Sequence, residues 1–298
     1  MSTTSTASSL PASRRAAAPD VPDRPAAVAE ALRRLGVRPS RGSGQSFLVD
    51  RFVADALAAL AEPASGRPVV EVGGGLGIVS RALLDRGVDD LTVIERDRRL
   101  AAHLEATFGS AVVVRCVDAR SFDFPPGATV VGSLPYASGT TIVLDLLRRR
   151  APRIAVLLQK EVAERFAATP GSRAYGRPSI VARLFGEPEL QRVVRPEAFY
   201  PVPRVASRLL THTARVGALP VRSVDRLEAV VRTLFGSRRK QLGNLLPQLS
   251  RGPDDTAALA EESAWPGSWA RLRPEQLEPE AFFRLADALD ARAGAARP

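Results

Sequence analysis

The 298-residue chain has one cysteine, Cys116, and two histidines, His103 and His212. A lone thiol excludes an intrachain disulfide and a cysteine-rich metal site, and two imidazoles leave little for zinc or a histidine-based triad, so no metal is expected. Long apolar runs are also missing. No stretch reaches the roughly eighteen apolar residues that a spanning helix needs, and no apolar segment follows the start, so membrane and secretory readings fall away and a cytoplasmic protein is expected. Aromatic residues make up 5% of the chain, against 45% hydrophobic and 25% charged residues. That balance belongs to a soluble globular chain that can bury a core in one large or two modest domains.

Lysine is scarce as well. Only Lys160 and Lys240 are present, yet Lys and Arg together number 42 against 32 acidic residues, for a formal charge of +10 and a pI near 11.0. The excess is therefore guanidinium, which grips phosphate in a planar fork, and a polyanionic partner is one reading. The other is an Arg- and Ala-rich composition spread over the whole chain, and position separates the two. Residues 203–251 hold ten basic and two acidic residues, a local net of +8 out of +10, which favours a binding surface.

Residues 1–36 are rich in Ser, Thr, Ala, Pro and Arg and read as a disordered tail leading into a short helix near 28–35. A transit peptide has a similar composition, but Asp20 and Asp23 speak against one. Within 37–215, apolar runs at 68–72, 91–95, 112–117, 128–131 and 154–159 alternate with helical patterns, the sign of a doubly wound parallel sheet. Ligands in such sheets sit outside the carboxyl ends of the strands. A last extended run at 205–211 precedes a Gly-Ala-Leu-Pro break, and 216–298 reads as a small helical domain. There Leu227, Val230, Val231, Leu234 and Phe235 follow helical spacing behind a Ser223 cap, and Phe282, Leu285, Ala286 and Leu289 repeat the pattern.

After the first run comes Gly73-Gly74-Gly75-Leu76-Gly77, followed by a helical segment. Glycines let the backbone turn sharply and lie close to a ligand at a helix N-terminus. Glu95 ends the next run, where a carboxylate can accept hydrogen bonds from a ribose diol. This pair suits a nicotinamide cofactor or S-adenosylmethionine. The spacing favours the latter, since Gly73, Gly75 and Gly77 form G-x-G-x-G, whereas the dinucleotide fingerprint would place a glycine where Ile78 stands. Asp118 follows the third run, where it can accept from an adenine amino group.

The fourth run ends in Ser133-Leu134-Pro135-Tyr136. This tetrapeptide resembles the [Asn/Asp/Ser]-x-Pro-[Tyr/Phe] motif of methyltransferases that act on exocyclic amino groups of nucleobases. An adenine N6 lone pair is delocalised into its ring and needs acceptors that hold the amine near a methyl donor. Ser133 Oγ and the Leu134 carbonyl can be those acceptors, with Pro135 stiffening the turn and Tyr136 stacking on an extruded base.

Taken in order, these segments, together with 44–48, 92–97, 158–165, 170–177, 198–205 and 235–240, resemble the rRNA adenine dimethyltransferase superfamily, and within it the KsgA-type small-subunit rRNA enzymes. The resemblance spans roughly 40–289. It implies a Rossmann-like S-adenosylmethionine methyltransferase fold with a small C-terminal α-helical domain, and dimethylation of two adjacent adenines in a loop near the 3′ end of 16S rRNA. It further implies that Ser46, Leu48, Gly73, Glu95, Asp118 and Ser133 line the cofactor site. Tyr136 and Phe199 would flank the target adenine, and Arg238, Arg239 and Lys240 would contact the rRNA backbone. The partner would be rRNA in an immature small subunit; a monomer is expected on separate grounds, since no apolar helix face is left over once both cores are filled.

Four positions depart from the family pattern: Ser133 and Ala137 stand where Asn is usual, Gly74 where Pro is, and Ala206 where Asp is. Ser133 keeps an acceptor but loses the reach of an amide carbonyl. Slower turnover, arrest at monomethyladenosine, or another rRNA adenine all stay open. So do a 23S rRNA enzyme of the antibiotic-resistance type, and an RNA- or DNA-binding assembly or transcription factor that keeps the fold without catalysis.

Overall fold

Alternation along short apolar runs decides the architecture. The computed structural model describes residues 20–39, 45–62, 66–250 and 253–295. In it the strands are β1 (Phe47–Leu48), β2 (Val69–Val72), β3 (Leu91–Ile94), β4 (Val113–Arg115), β5 (Thr129–Ser133), β6 (Arg153–Gln159), β7 (Gly186–Val194), β8 (Phe199–Tyr200) and β9 (Ser207–Ala214). One sheet has the order β4-β3-β2-β5-β6-β9-β7. Its first five strands are parallel, and β9 runs antiparallel to both neighbours.

Both faces of this sheet are covered, as parallel sheets require. The helices are α1 (Pro25–Arg34), α2 (Arg51–Leu60), α3 (Ile78–Asp85), α4 (Arg98–Phe108), α5 (Gly139–Arg148), α6 (Lys160–Phe166), α7 (Arg177–Phe185), α8 (Val224–Gly236), α9 (Leu242–Leu245), α10 (Pro253–Glu262) and α11 (Pro279–Ala295). Val69, Val93, Val131 and Leu157 point to one face and pack under α2, α3 and α4 through Leu57, Leu83 and Leu104. Their strand neighbours Val70, Val72, Val130 and Val156 point to the other and pack under α5, α6 and α7. Each of these side chains is nearly fully buried, which stabilises by about 1.5–3 kcal/mol per residue before chain entropy is set against it. The fold is thus Rossmann-like, with a helical region after β9.

That helical region begins as its sequence dictates. Ser223 Oγ accepts the Arg226 N–H at 3.1 Å and caps α8. Leu227, Val230, Val231 and Leu234, with Phe282, Leu285 and Ala286 of α11, join the same apolar cluster as α5 and α7. The 215/216 boundary falls between β9 and α8, but one continuous core runs across it. Glu228 of α8 reinforces the junction: it is 1% exposed and pairs at 2.5 Å with Arg148 of α5 and Arg177 of α7.

Three strands escape the sequence reading. β7 carries Pro188 and a bulge between Leu190 and Val193, features that are tolerated because it is an edge strand. β1 and β8 are two residues each, too short for any periodicity, and pair only with one another. The lead-in helix forms at Pro25–Arg34, while residues 1–19 of the expected tail and Gly44 of the segment at 44–48 lie outside the described residues. Among the described residues, no helix is long and apolar enough to cross a membrane.

Candidate active site

The turn after β2 needs residues that tolerate a left-handed backbone. Gly73 has φ +80° and Gly75 has φ +56°, values at which a side chain is strained. Gly74 meets a different constraint: a Cβ there would overlap the ends of the Val93 and Leu104 side chains, which would have to shift to admit it. Val93 and Leu104 thus pack closely over the position where the family pattern usually has proline.

The strand ends then place carboxylates around this loop. Glu95, 9% exposed, accepts the Gly75 N–H at 3.0 Å and the Asp97 N–H at 2.9 Å. Asp118 follows β4 and accepts the Arg120 N–H at 2.9 Å, while its two oxygens take the Arg120 guanidinium at 3.0 and 2.8 Å. The Arg120 side chain and backbone bonds together hold the Asp118 carboxyl down at about 2, so it is ionised at neutral pH.

A cavity of about 630 Å³ opens between these groups. It brings together Ser46, Leu48, Gly73, Gly75, Glu95, Asp118 and Ser133, seven positions spread over almost ninety residues of chain. Pro135 also borders it. Ser133 ends β5, and its hydroxyl makes no hydrogen bond to any described residue. The Leu134 side chain is buried as an anchor, its N–H donates to Leu157 O at 3.1 Å, and no described backbone N–H donates to its carbonyl. Both acceptors are therefore unclaimed among the described residues, Ser133 lining the cavity and Leu134 lying between two residues that do. Tyr136 lies next to this turn, half-buried, with its hydroxyl 2.7 Å from Ser207 Oγ.

Other expected residues are placed elsewhere. Phe199 pairs with Leu48 across β1 and β8, but its ring is 1% exposed and sealed in the core below the cavity. Neither Phe199 nor Tyr136 lines the cavity, where Phe47 is the aromatic residue among the described ones. Arg238 is committed within the protein, since its Nε meets Glu275 at 2.7 Å and its Nη1 donates to Arg173 O at 3.1 Å. Arg239 and Lys240, in the turn that follows α8, are exposed.

Sequence reasoning overlooked Glu71. It stands inside the valine-rich strand β2, 1% exposed, and yet borders the cavity. Ser80 Oγ of α3 donates to it at 2.5 Å. Burial drives its carboxyl up to about 8, only partly offset by the Ser80 bond, and Glu95 pushes it further in the same direction. The signal was a single charge within an otherwise apolar strand. Ser138 and Arg96 border the cavity too.

Comparison with known proteins gives a consistent picture. Residues 40–263 match the family model described as ribosomal RNA adenine dimethylase. The chain is 35% identical over 283 residues to the ribosomal RNA small subunit methyltransferase A of Methylobacterium radiotolerans, covering 90% of this chain and 94% of that protein. It is 36% identical over 263 residues to the protein of the same name from Acidithiobacillus ferrooxidans, covering 84% and 94%. A crystal structure of a dimethyladenosine transferase from Plasmodium falciparum superposes with TM-score 0.70 at 20% identity, over 83% of this chain and 98% of that one, a likeness of fold. The 23S rRNA methyltransferase ErmE superposes with TM-score 0.64 at 25% identity, over 82% and 99%.

Proposed function

Since the chain belongs to the ribosomal RNA adenine dimethylase family, we propose that it dimethylates N6 of two adjacent adenines in a loop near the 3′ end of small-subunit rRNA. The methyl donor is S-adenosyl-L-methionine. The observation that carries this reading is the meeting, in one cavity, of the glycine turn, Glu95, Asp118 and the Ser133 end of β5.

The residues fit the donor. Glu95 keeps lone pairs free beyond its two backbone bonds and would accept from the ribose diol. Asp118, ionised, would accept from the adenine amino group, and Ser46, Leu48, Gly73 and Gly75 would wall the remainder. When bound, the donor supplies an electrophilic methyl on a sulfonium sulfur. Ser133 Oγ and the Leu134 carbonyl would take the two N6–H bonds of the target, turning the amine so that its lone pair faces that methyl. Tyr136 would stack on the extruded base, whose removal from a loop needs little unpairing energy. Positioning of this kind supplies much of the rate, so no imidazole base is needed.

Arg239 and Lys240 would meet rRNA phosphates, in a protein acting as a monomer on an immature small subunit. Such contacts set affinity and salt dependence, not sequence choice. A 23S rRNA target is the second reading, motivated by the superposition on ErmE. The small-subunit reading is preferred because relatives named for that subunit align over most of both chains at about 35% identity.

The test is transfer of labelled methyl from S-adenosylmethionine to immature 30S subunits lacking the modification, with 50S subunits alongside and nucleoside mass spectrometry of the products. Dimethyladenosine on 30S alone is expected. Labelling of 50S alone would move the target to 23S rRNA. No transfer to either by a folded, cofactor-binding protein would favour a non-catalytic binding factor.

A further inference from the structure

Glu71 is a buried acid that the methyl-transfer reading leaves without a task. It lies on β2, two residues before the glycine loop, and borders the cavity despite 1% exposure. From α3 it meets Ser80, itself fully buried, at 2.5 Å. From β3 it faces Glu95, the one charged group that acts on it, and that effect opposes ionisation. The buried residues of α2 are Val53, Ala54, Leu57 and Ala58, all apolar, and β5, paired beside β2, has no ionisable residue. No basic side chain pairs with Glu71 among the described residues. The remaining charged groups that line the cavity, Arg96, Asp97, Asp118 and Arg120, pair with one another or with Arg99.

A carboxyl without a cation is stable in such a place only as the neutral acid, and burial pushes Glu71 up to about 8. The two ligands that alternate in the cavity differ by one charge: the donor carries a sulfonium cation, and the product left after methyl transfer is a neutral thioether. A unit charge held near a carboxyl in a protein interior changes its acidity roughly tenfold or more.

We propose that Glu71 gauges the charge of the cofactor, holding its proton in the free protein and beside the thioether product, and releasing it to solvent when the sulfonium donor is bound. The proton passes from the Glu71 carboxyl to the buffer, and no covalent bond to the cofactor is made or broken. Ionised Glu71 then attracts the donor and not the product, so the site discriminates in favour of the donor. This rests on the cavity being the methyl-donor site.

Isothermal calorimetry of the full chain tests it, with S-adenosylmethionine and S-adenosylhomocysteine titrated in buffers of different ionisation enthalpy. At pH 7.5 a group near 8 is about three quarters protonated, so donor binding is expected to release up to about 0.7 proton, and product binding much less. Donor affinity should rise with pH and level off above about 8, while product affinity stays flat. Glu71→Gln should abolish both the release and the pH dependence. Ser80→Ala, which removes the bond favouring the carboxylate, should move the rise to higher pH, and it keeps the test decisive if Glu71→Gln fails to fold. Equal release with donor and product, or unchanged release in Glu71→Gln, would overturn the gauge. Failure of both ligands to bind would overturn the site reading and the gauge with it.

Discussion

The Tyr136 phenol and the Ser207 hydroxyl lie 2.7 Å apart, tying the turn after β5 to the first residue of β9. Because β9 pairs with both β6 and β7 along its length, the anchor is rigid, and it fixes the ring next to the Ser133–Pro135 turn that borders the cavity. Burial raises the phenol above its ordinary value despite the Ser207 bond, so the hydroxyl stays protonated. Orientation of the ring is thus a property of the fold and not of the bound RNA.

Removing that ring should separate catalysis from cofactor binding. Stacking on a base is worth about 1–3 kcal/mol, so Tyr136→Ala is expected to lower methyl transfer to 30S subunits by roughly 10–100-fold. Calorimetric affinity for S-adenosylmethionine should stay within about twofold of the parent. Tyr136→Phe, which loses only the Ser207 bond, should sit between the two.

Glu95 predicts the converse. Charge-assisted hydrogen bonds contribute about 1.5–3 kcal/mol, and Glu95 also organises the Gly75 and Asp97 backbone. Glu95→Ala is expected to weaken S-adenosylmethionine binding at least tenfold by calorimetry, with activity partly restored at high cofactor concentration.

Ser133 tests the acceptor role directly. With its hydroxyl deleted in Ser133→Ala, one N6–H loses its partner, and methyl transfer should fall by roughly 10–100-fold. Ser133→Asn supplies a longer-reaching carbonyl and should raise the rate above that of the natural chain. The ratio of mono- to dimethyladenosine by nucleoside mass spectrometry reports whether the second transfer is the more sensitive step.

The basic turn after α8 divides into two functions. Arg239→Ala with Lys240→Ala should reduce the slope of log affinity for rRNA against log salt by about one for each charge removed, with little change in melting temperature. Arg238→Ala breaks the Glu275 and Arg173 contacts and should lower the melting temperature instead.

His212 gives stability a pH dependence. Its Nε2 is 3.0 Å from Ala182 O, and burial in the β6-β9-β7 region lowers it from 6.5 to about 4. Between about 6.5 and about 4 the unfolded chain takes up a proton that the folded chain refuses. Stability from this group is therefore complete above about 6.5 and is lost as pH falls through that window, by about 3 kcal/mol at most. Urea midpoints at pH 7 and pH 5 should differ less for His212→Asn than for the parent chain.

Much of this was legible in the sequence. The five parallel strands, the Ser223 cap, the glycine turn and the strand-end carboxylates are local signals: apolar periodicity, a hydroxyl before a helical pattern, and φ values that only glycine takes easily. A sheet whose ligands gather at its strand ends turns those local signals into one site, which groups Gly73, Gly75, Glu95, Asp118 and Ser133 from the sequence, whereas Ser46 and Leu48 join them there only through the family resemblance. Tertiary structure decided what local pattern cannot carry. Pro188 sits in a strand because that strand lies at an edge. Phe199 is sealed inward by the pairing of β8 with β1, while Tyr136, in the loop after β5, is held half-exposed by Ser207 of β9. Arg238 and Arg239 are adjacent in the chain, but Glu275, thirty-seven residues beyond Arg238, claims only the first. Glu71 reads as one acid among valines until α3 closes over it and the cavity reaches it. Burial and partnership depend on which distant segments meet, and those energies are absent from any single stretch of sequence.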